Sequence, residues 1–136
     1  MLDFVRWAVP GRVMLVQFSG VLDVEDVTQM NAAALVLMEE ALPPHVNVIV
    51  DSTLVAKFSS ALMNIKNLRS MLGKHPMVNW HIIVSPDPNP AMRFVGSMVF
   101  NLLGARLRVT STVDEAIQFL QAWESEQLKR TDQSEM

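Results

Sequence analysis

Short apolar runs alternate along the chain with longer stretches in which apolar residues recur every three or four positions, a pattern that predicts strands joined by crossover helices. Residues 3–8 and the run Val13-Met14-Leu15-Val16-Gln17-Phe18 predict two strands joined at Pro10-Gly11. So short a connection makes that pair antiparallel. Val46-Asn47-Val48-Ile49-Val50 is almost wholly apolar, which predicts a central parallel strand covered on both faces and ending at Asp51-Ser52-Thr53. Trp80 to Val84 and Arg106 to Val109 predict the remaining strands.

The helical stretches carry their own punctuation. Asp23 and Asp26 predict an N-cap and a first-turn acid, after which Val27, Met30, Ala34, Leu37, Met38 and Ala41 recur at helical spacing until Pro43-Pro44. Ser59 or Ser60 predicts the cap of a second helix whose Ala61, Leu62, Ile65, Leu68 and Leu72 share a face, with Gly73 past its end. Asn89-Pro90 opens a third, Ala91 to Leu103, closed by Gly104. Thr112-Val-Asp-Glu115 matches a capping box, and Val113, Ala116, Ile117, Leu120 and Trp123 give the terminal helix its apolar stripe. The element order is therefore ββαβαβαβα, an α/β fold. One domain is expected over residues 1–126, followed over 127–136 by a polar tail that frays.

Composition narrows the function classes. With 136 residues, half of them hydrophobic and 18% charged, the chain has the material for one core. The absence of cysteine excludes thiol catalysis and thiolate metal sites. His45, His75 and His81 stand far apart in sequence with no metal-ligand spacing, so neither a metal nor a cofactor is expected. A formal charge of −3 with scattered Lys and Arg argues against nucleic acid as a partner. No apolar run reaches the length of a membrane span, and the acid-bearing N-terminus does not read as a signal peptide, so a cytoplasmic protein is expected. No glycine-rich phosphate loop, nucleophile elbow or dinucleotide fingerprint occurs, and the expectation is that the chain is not an enzyme.

The residues around the third strand resemble a known family. Val48-Ile-Val-Asp-Ser-Thr-Leu-Val-Ala-Lys-Phe-Ser-Ser-Ala-Leu62 is similar to the strand, acid and serine-bearing helix start of STAS domains and of the sporulation anti-sigma-factor antagonists. Ser85-Pro86, Met92-Arg93-Phe94, Leu102-Leu103-Gly104 and Val113-Asp-Glu-Ala-Ile117 extend the likeness over nearly the whole chain. Gly20-Val-Leu22 before an acidic helix start also resembles SpoIIAA-like proteins. In this match Phe58 and Ala61 stand where the family has an Asp and a Gly around the serine pair. The resemblance implies a five-stranded, mostly parallel sheet with crossover helices mainly on one face. It also implies a non-enzymatic regulatory role: binding a protein partner, such as a kinase-like anti-sigma factor, under phosphoserine control at Ser59 or Ser60.

Candidate binding groups gather where strands end, because helix N-termini with unpaired N–H groups point there. These are Asp51, Ser52, Thr53, Ser85 and Asp87. Two roles stand open for Ser59 and Ser60: helix caps, or acceptors of a phosphate that the helix start favours. Asp51 either orients a ligand or satisfies local backbone N–H groups. Met63 and Phe100 fall outside the main apolar arcs of their helices, near Lys66, Arg69 and Arg93, which suggests a partner surface. Ala32 and Val36 on the outer side of the first helix would serve a homodimer. The alternative function is a small-molecule or lipid carrier using Asp51, Ser85 and the third helix.

Overall fold

The computed structural model describes residues 1–40, 46–61, 78–85 and 106–134. Within them lie strands β1 (Leu2–Val9), β2 (Val13–Leu22), β3 (Val46–Phe58), β4 (Val78–Val84) and β5 (Arg106–Thr110), and helices α1 (Val24–Glu40) and α2 (Val113–Ser134). Pro10 and Gly11 turn β1 into β2: the Arg12 N–H donates to the Val9 carbonyl at 3.0 Å, and Gly11 takes φ +72°, a conformation that costs glycine little.

The strands follow one another across the sheet in chain order. β1 and β2 are antiparallel, whereas β2–β3, β3–β4 and β4–β5 are parallel. The sheet is therefore mixed. Its antiparallel edge comes from the tight turn at residues 10–12, since parallel neighbours need a crossover of a dozen or more residues. α1 supplies such a crossover between β2 and β3.

The two described helices flank the sheet on opposite faces, and of the expected crossover helices only α1 lies among the described residues. Alternation along β2 sends Met14, Val16 and Phe18 to one side, where Ala34 and Met38 of α1 complete a core with Val46 and Val48. Val13 and Leu15 point the other way, into a second core with Ile49, Ile82, Val84 and, from α2, Ala116 and Leu120. As the last element, α2 carries no crossover, so it is free to fold back over the apolar face that α1 leaves bare. Each fully buried aliphatic side chain here contributes about 1.5–3 kcal/mol.

Both helix starts are built as their sequences predict. The Asp23 carboxylate accepts the Val24 N–H at 2.8 Å, and Asp26 reaches back to the Asp23 N–H at 2.9 Å. The Thr112 hydroxyl accepts the Glu115 N–H at 3.1 Å, while Glu115 accepts the Ser111 N–H at 3.0 Å. The second and third predicted helices fall on residues outside the described ones.

Two lengths differ from expectation. β3 does not end at Asp51-Ser52-Thr53 but runs on to Phe58, because β2 also continues and pairs with it through Ser19↔Leu54, Gly20↔Val55, Val21↔Lys57 and Leu22↔Phe58. Register irregularities flank Gly20, whose φ is +62°. Leu22, Val55 and Phe58 pack on the α1 side, so the extension has its own apolar support. α2 continues past Glu126, through the polar stretch, as far as Ser134. Arg130 and Glu126, one turn apart at 3.4 Å, form an ion pair of the kind that supports an exposed helix. No helix among the described residues is long and apolar enough to cross a membrane.

Candidate functional site

Because β2 and β3 run parallel and finish side by side at Leu22 and Phe58, the residues that follow them meet. The Ser59 hydroxyl donates to Asp23 Oδ1 at 2.7 Å, and the Ser59 N–H donates to the Leu22 carbonyl at 2.9 Å. A single carboxylate thus caps α1 and holds the serine that leads out of β3. The Ser59 hydroxyl, then the Val24 N–H, hold the Asp23 carboxyl below the usual aspartate range. Ser59 is half-buried, and Ser60 and Ala61 beside it are exposed. Another molecule therefore has access to this tip.

Asp51, Ser52, Thr53 and Ser85 form a separate group. Seven residues of extended strand, on the order of 20–25 Å, separate Asp51 from the end of β3. Asp51 Oδ1 accepts both the Thr53 N–H at 3.0 Å and the Thr53 hydroxyl at 2.7 Å, the local satisfaction common for aspartate. Ser52 is buried and its hydroxyl donates to the Val84 carbonyl at 2.6 Å. The Ser85 N–H donates to the Thr110 carbonyl at 2.9 Å, extending the β4–β5 ladder. Ser52 thus ties β3 to β4 and Ser85 ties the end of β4 to β5, while Asp51 is satisfied within β3 itself. Met63, Asp87 and Phe100 lie outside the described residues.

Sequence reasoning missed Asp23 as the partner of Ser59. It placed Asp23 correctly at the start of α1, but with β3 cut short at Thr53 nothing brought residues 23 and 59 together. The usable signal is Val55 and Phe58, apolar positions beyond the expected strand end at Thr53. On the α2 face the structure also assembles an aromatic cluster: Trp80 meets Phe119 and Trp123 edge-on, with ring centroids 4.9 and 6.1 Å apart.

His81 on β4 has a buried Nδ1 with no hydrogen-bond partner among the described residues. Desolvation pushes its pKa below the ordinary 6.5. The unfolded chain therefore takes up a proton at a pH where the native chain does not. Stability should fall as pH drops from about 6.5 toward the native pKa and level off below it. Urea midpoints measured across this range should show that slope in the wild type and lose it in His81→Leu; equal slopes would contradict the assignment.

Among the described residues, no cluster of histidine and carboxylate side chains has the makings of a metal site. No family model and no curated protein sequence matches the chain. Solved structures do. An uncharacterised protein of the DUF3478 family from Shewanella loihica PV-4, with a SpoIIAA-like fold, aligns with a TM-score of 0.61 at 13% identity over 88% of this chain and 92% of its own. The anti-sigma factor antagonist SpoIIAA in its unphosphorylated form aligns with a TM-score of 0.53 at 17% identity, over 89% of this chain and 98% of its own. The chain has a SpoIIAA-like fold.

Proposed function

We propose that the chain is a non-enzymatic, cytoplasmic regulatory module that binds a protein partner at the tip where β2 and β3 end, with Ser59 as its phosphate-accepting control group and Ser60 beside it. A kinase-like anti-sigma factor is the partner class that the likeness to SpoIIAA favours. The observation that carries the reading is the 2.7 Å hydrogen bond from Ser59 to Asp23 at an accessible strand end. Phe58 replaces the acid that the family match places before the serine pair, yet Asp23 supplies a carboxylate to the same hydroxyl through space.

The chemistry of a switch follows from that contact. A phosphoserine carries about −1.5 to −2 charge and no donor toward a carboxylate. At position 59 it would replace a hydrogen bond with repulsion against Asp23. Asp23 also caps α1, so the change would pass from the tip into the helix start. The test is recovery of the protein from its native cell with phosphoserine mapping, beside partner capture by the wild type and by Ser59→Asp and Ser60→Asp. Phosphate on either serine and altered capture are expected; an unmodified pair with unchanged capture would overturn the reading.

Exposed Leu35 (43%) and Val36 (57%), next to exposed Ala32 on α1, favour a second reading in which this stripe joins two copies. Analytical ultracentrifugation of the wild type against Val36→Lys separates a dimer from a monomer. The alternative of a small-molecule or lipid carrier would need an enclosed apolar cavity. A cavity among the described residues, about 430 Å³ and open to solvent, is bordered by Arg108, Ser111 and Glu115 together with Val109 and Phe119.

A further inference from the structure

Among the described residues, β5 is the last strand of the sheet and pairs with β4 alone. The Thr110 carbonyl accepts the Ser85 N–H, so Thr110 and, by alternation, Arg108 and Arg106 aim their backbone groups at β4. The N–H and C=O groups of Leu107 and Val109 therefore point off the sheet. That is the template onto which an extended segment adds as a further strand.

Two arginines give this edge its character. Arg106 lies over Trp80 and Trp123, 5.9 and 5.3 Å from their ring centroids, and Arg108 lies 4.2 Å over Phe119. Stacking uses the flat faces of the guanidinium groups and leaves their N–H edges to donate. Arg106 spends one donor on Asn79 Oδ1 at 3.3 Å, and neither arginine meets a carboxylate among the described residues. The pair stands two residues apart on one face, the spacing at which alternate side chains of an adjoining strand arrive. At the C-terminal end of the edge, Arg108, exposed Val109, Ser111, Gln118 and Phe119 border the cavity described above.

A second copy of β5 does not fit. Full antiparallel pairing centred on Arg108 sets that arginine opposite its own copy, and like charges directly opposite are unfavourable. We propose that the outer edge of β5 receives an extended acidic segment of a partner protein. Its main chain bonds to Leu107 and Val109, and its carboxylates at alternate positions take the guanidinium edges of Arg106 and Arg108. This surface is independent of the Ser59 tip.

Fluorescence anisotropy with the full chain tests the proposal, using the end-blocked, fluorescein-labelled peptide Thr-Val-Glu-Val-Glu-Val-Thr. The acidic peptide is expected to bind at least about ten-fold more tightly than the same peptide with Lys for Glu, and to weaken as salt rises. N-methylation of alternate peptide amides should abolish binding, and hydrogen exchange at Leu107 and Val109 should slow in the complex. Arg106→Glu with Arg108→Glu, its fold checked by circular dichroism, should reverse the preference between the two peptides. No binding of the acidic peptide by the folded wild type, equal binding of the lysine peptide, or equal binding of an acidic peptide with its carboxylates clustered at one end would each overturn the proposal. The peptide comparisons use the wild type, so they decide the question even if the double variant does not fold.

Discussion

Ile49→Ala is expected to lower the free energy of unfolding by about 2–5 kcal/mol, the cost of removing a large aliphatic side chain from a site that collapses only in part. Ile49 is fully buried at the middle of the sheet, with Leu15 beside it on β2 and Ile82 on β4, in the core that α2 covers. Domains of this size have about 5–15 kcal/mol of stability in all, so the loss is a large share of it. The melting temperature should fall by on the order of 10 °C. Val36→Ala on the outer side of α1, where the side chain is 57% exposed, should change stability by less than about 0.5 kcal/mol. Urea unfolding of the two variants checks the contrast; a loss below about 1 kcal/mol for Ile49→Ala would mean that β3 is not the centre of the packed sheet.

The larger functional effect is expected at Ser59. Ser59→Asp removes the donor that Asp23 accepts and sets a second carboxylate directly beside it. Partner capture should fall by about ten-fold or more, the scale on which like charges forced together reshape a binding surface. Ser59→Ala removes the hydrogen bond without adding charge and should retain more capture than Ser59→Asp. Combining Ser59→Asp with Asp23→Asn removes the repulsion and should recover part of the loss. Equal capture by Ser59→Asp with and without Asp23→Asn would show that the two residues act separately.

Much of this architecture is legible in the sequence because local signals and burial agree. The run Val46 to Val50 reads as a central strand and becomes one, flanked by strands on both sides. The stripe through Ala116 and Leu120 reads as one helix face and packs as one. The antiparallel first pair follows from a turn too short for anything else. What was hidden depends on partners distant in sequence. The stretch from Asp51 to Lys57 opens on three polar residues that read as a strand end; it continues the strand because β2 extends beside it and supplies the backbone bonds. That α2 crosses to the face opposite α1 is set by which apolar face remains uncovered, a property of the assembled sheet. The Ser59–Asp23 contact combines both effects, since it exists only when β2 and β3 end together.

The same dependence explains why the strand-end polar residues did not form one site. Asp51 and Thr53 satisfy each other, and Ser52 satisfies a carbonyl of β4. Their polar groups are thus satisfied within the sheet, Ser52 alone by a side-chain bond to a neighbouring strand. Ser59 differs in that its side chain joins two elements at a surface open to another molecule.

The most direct measurement is a carboxyl-detected NMR titration of Asp23 in the wild type and in Ser59→Ala. With the serine hydroxyl donating to it, Asp23 should titrate below the ordinary aspartate value of 3.8 in the wild type and move up toward that value in the variant. An Asp23 that titrates identically in both proteins would contradict the contact, and with it the joined strand ends on which the functional reading is built.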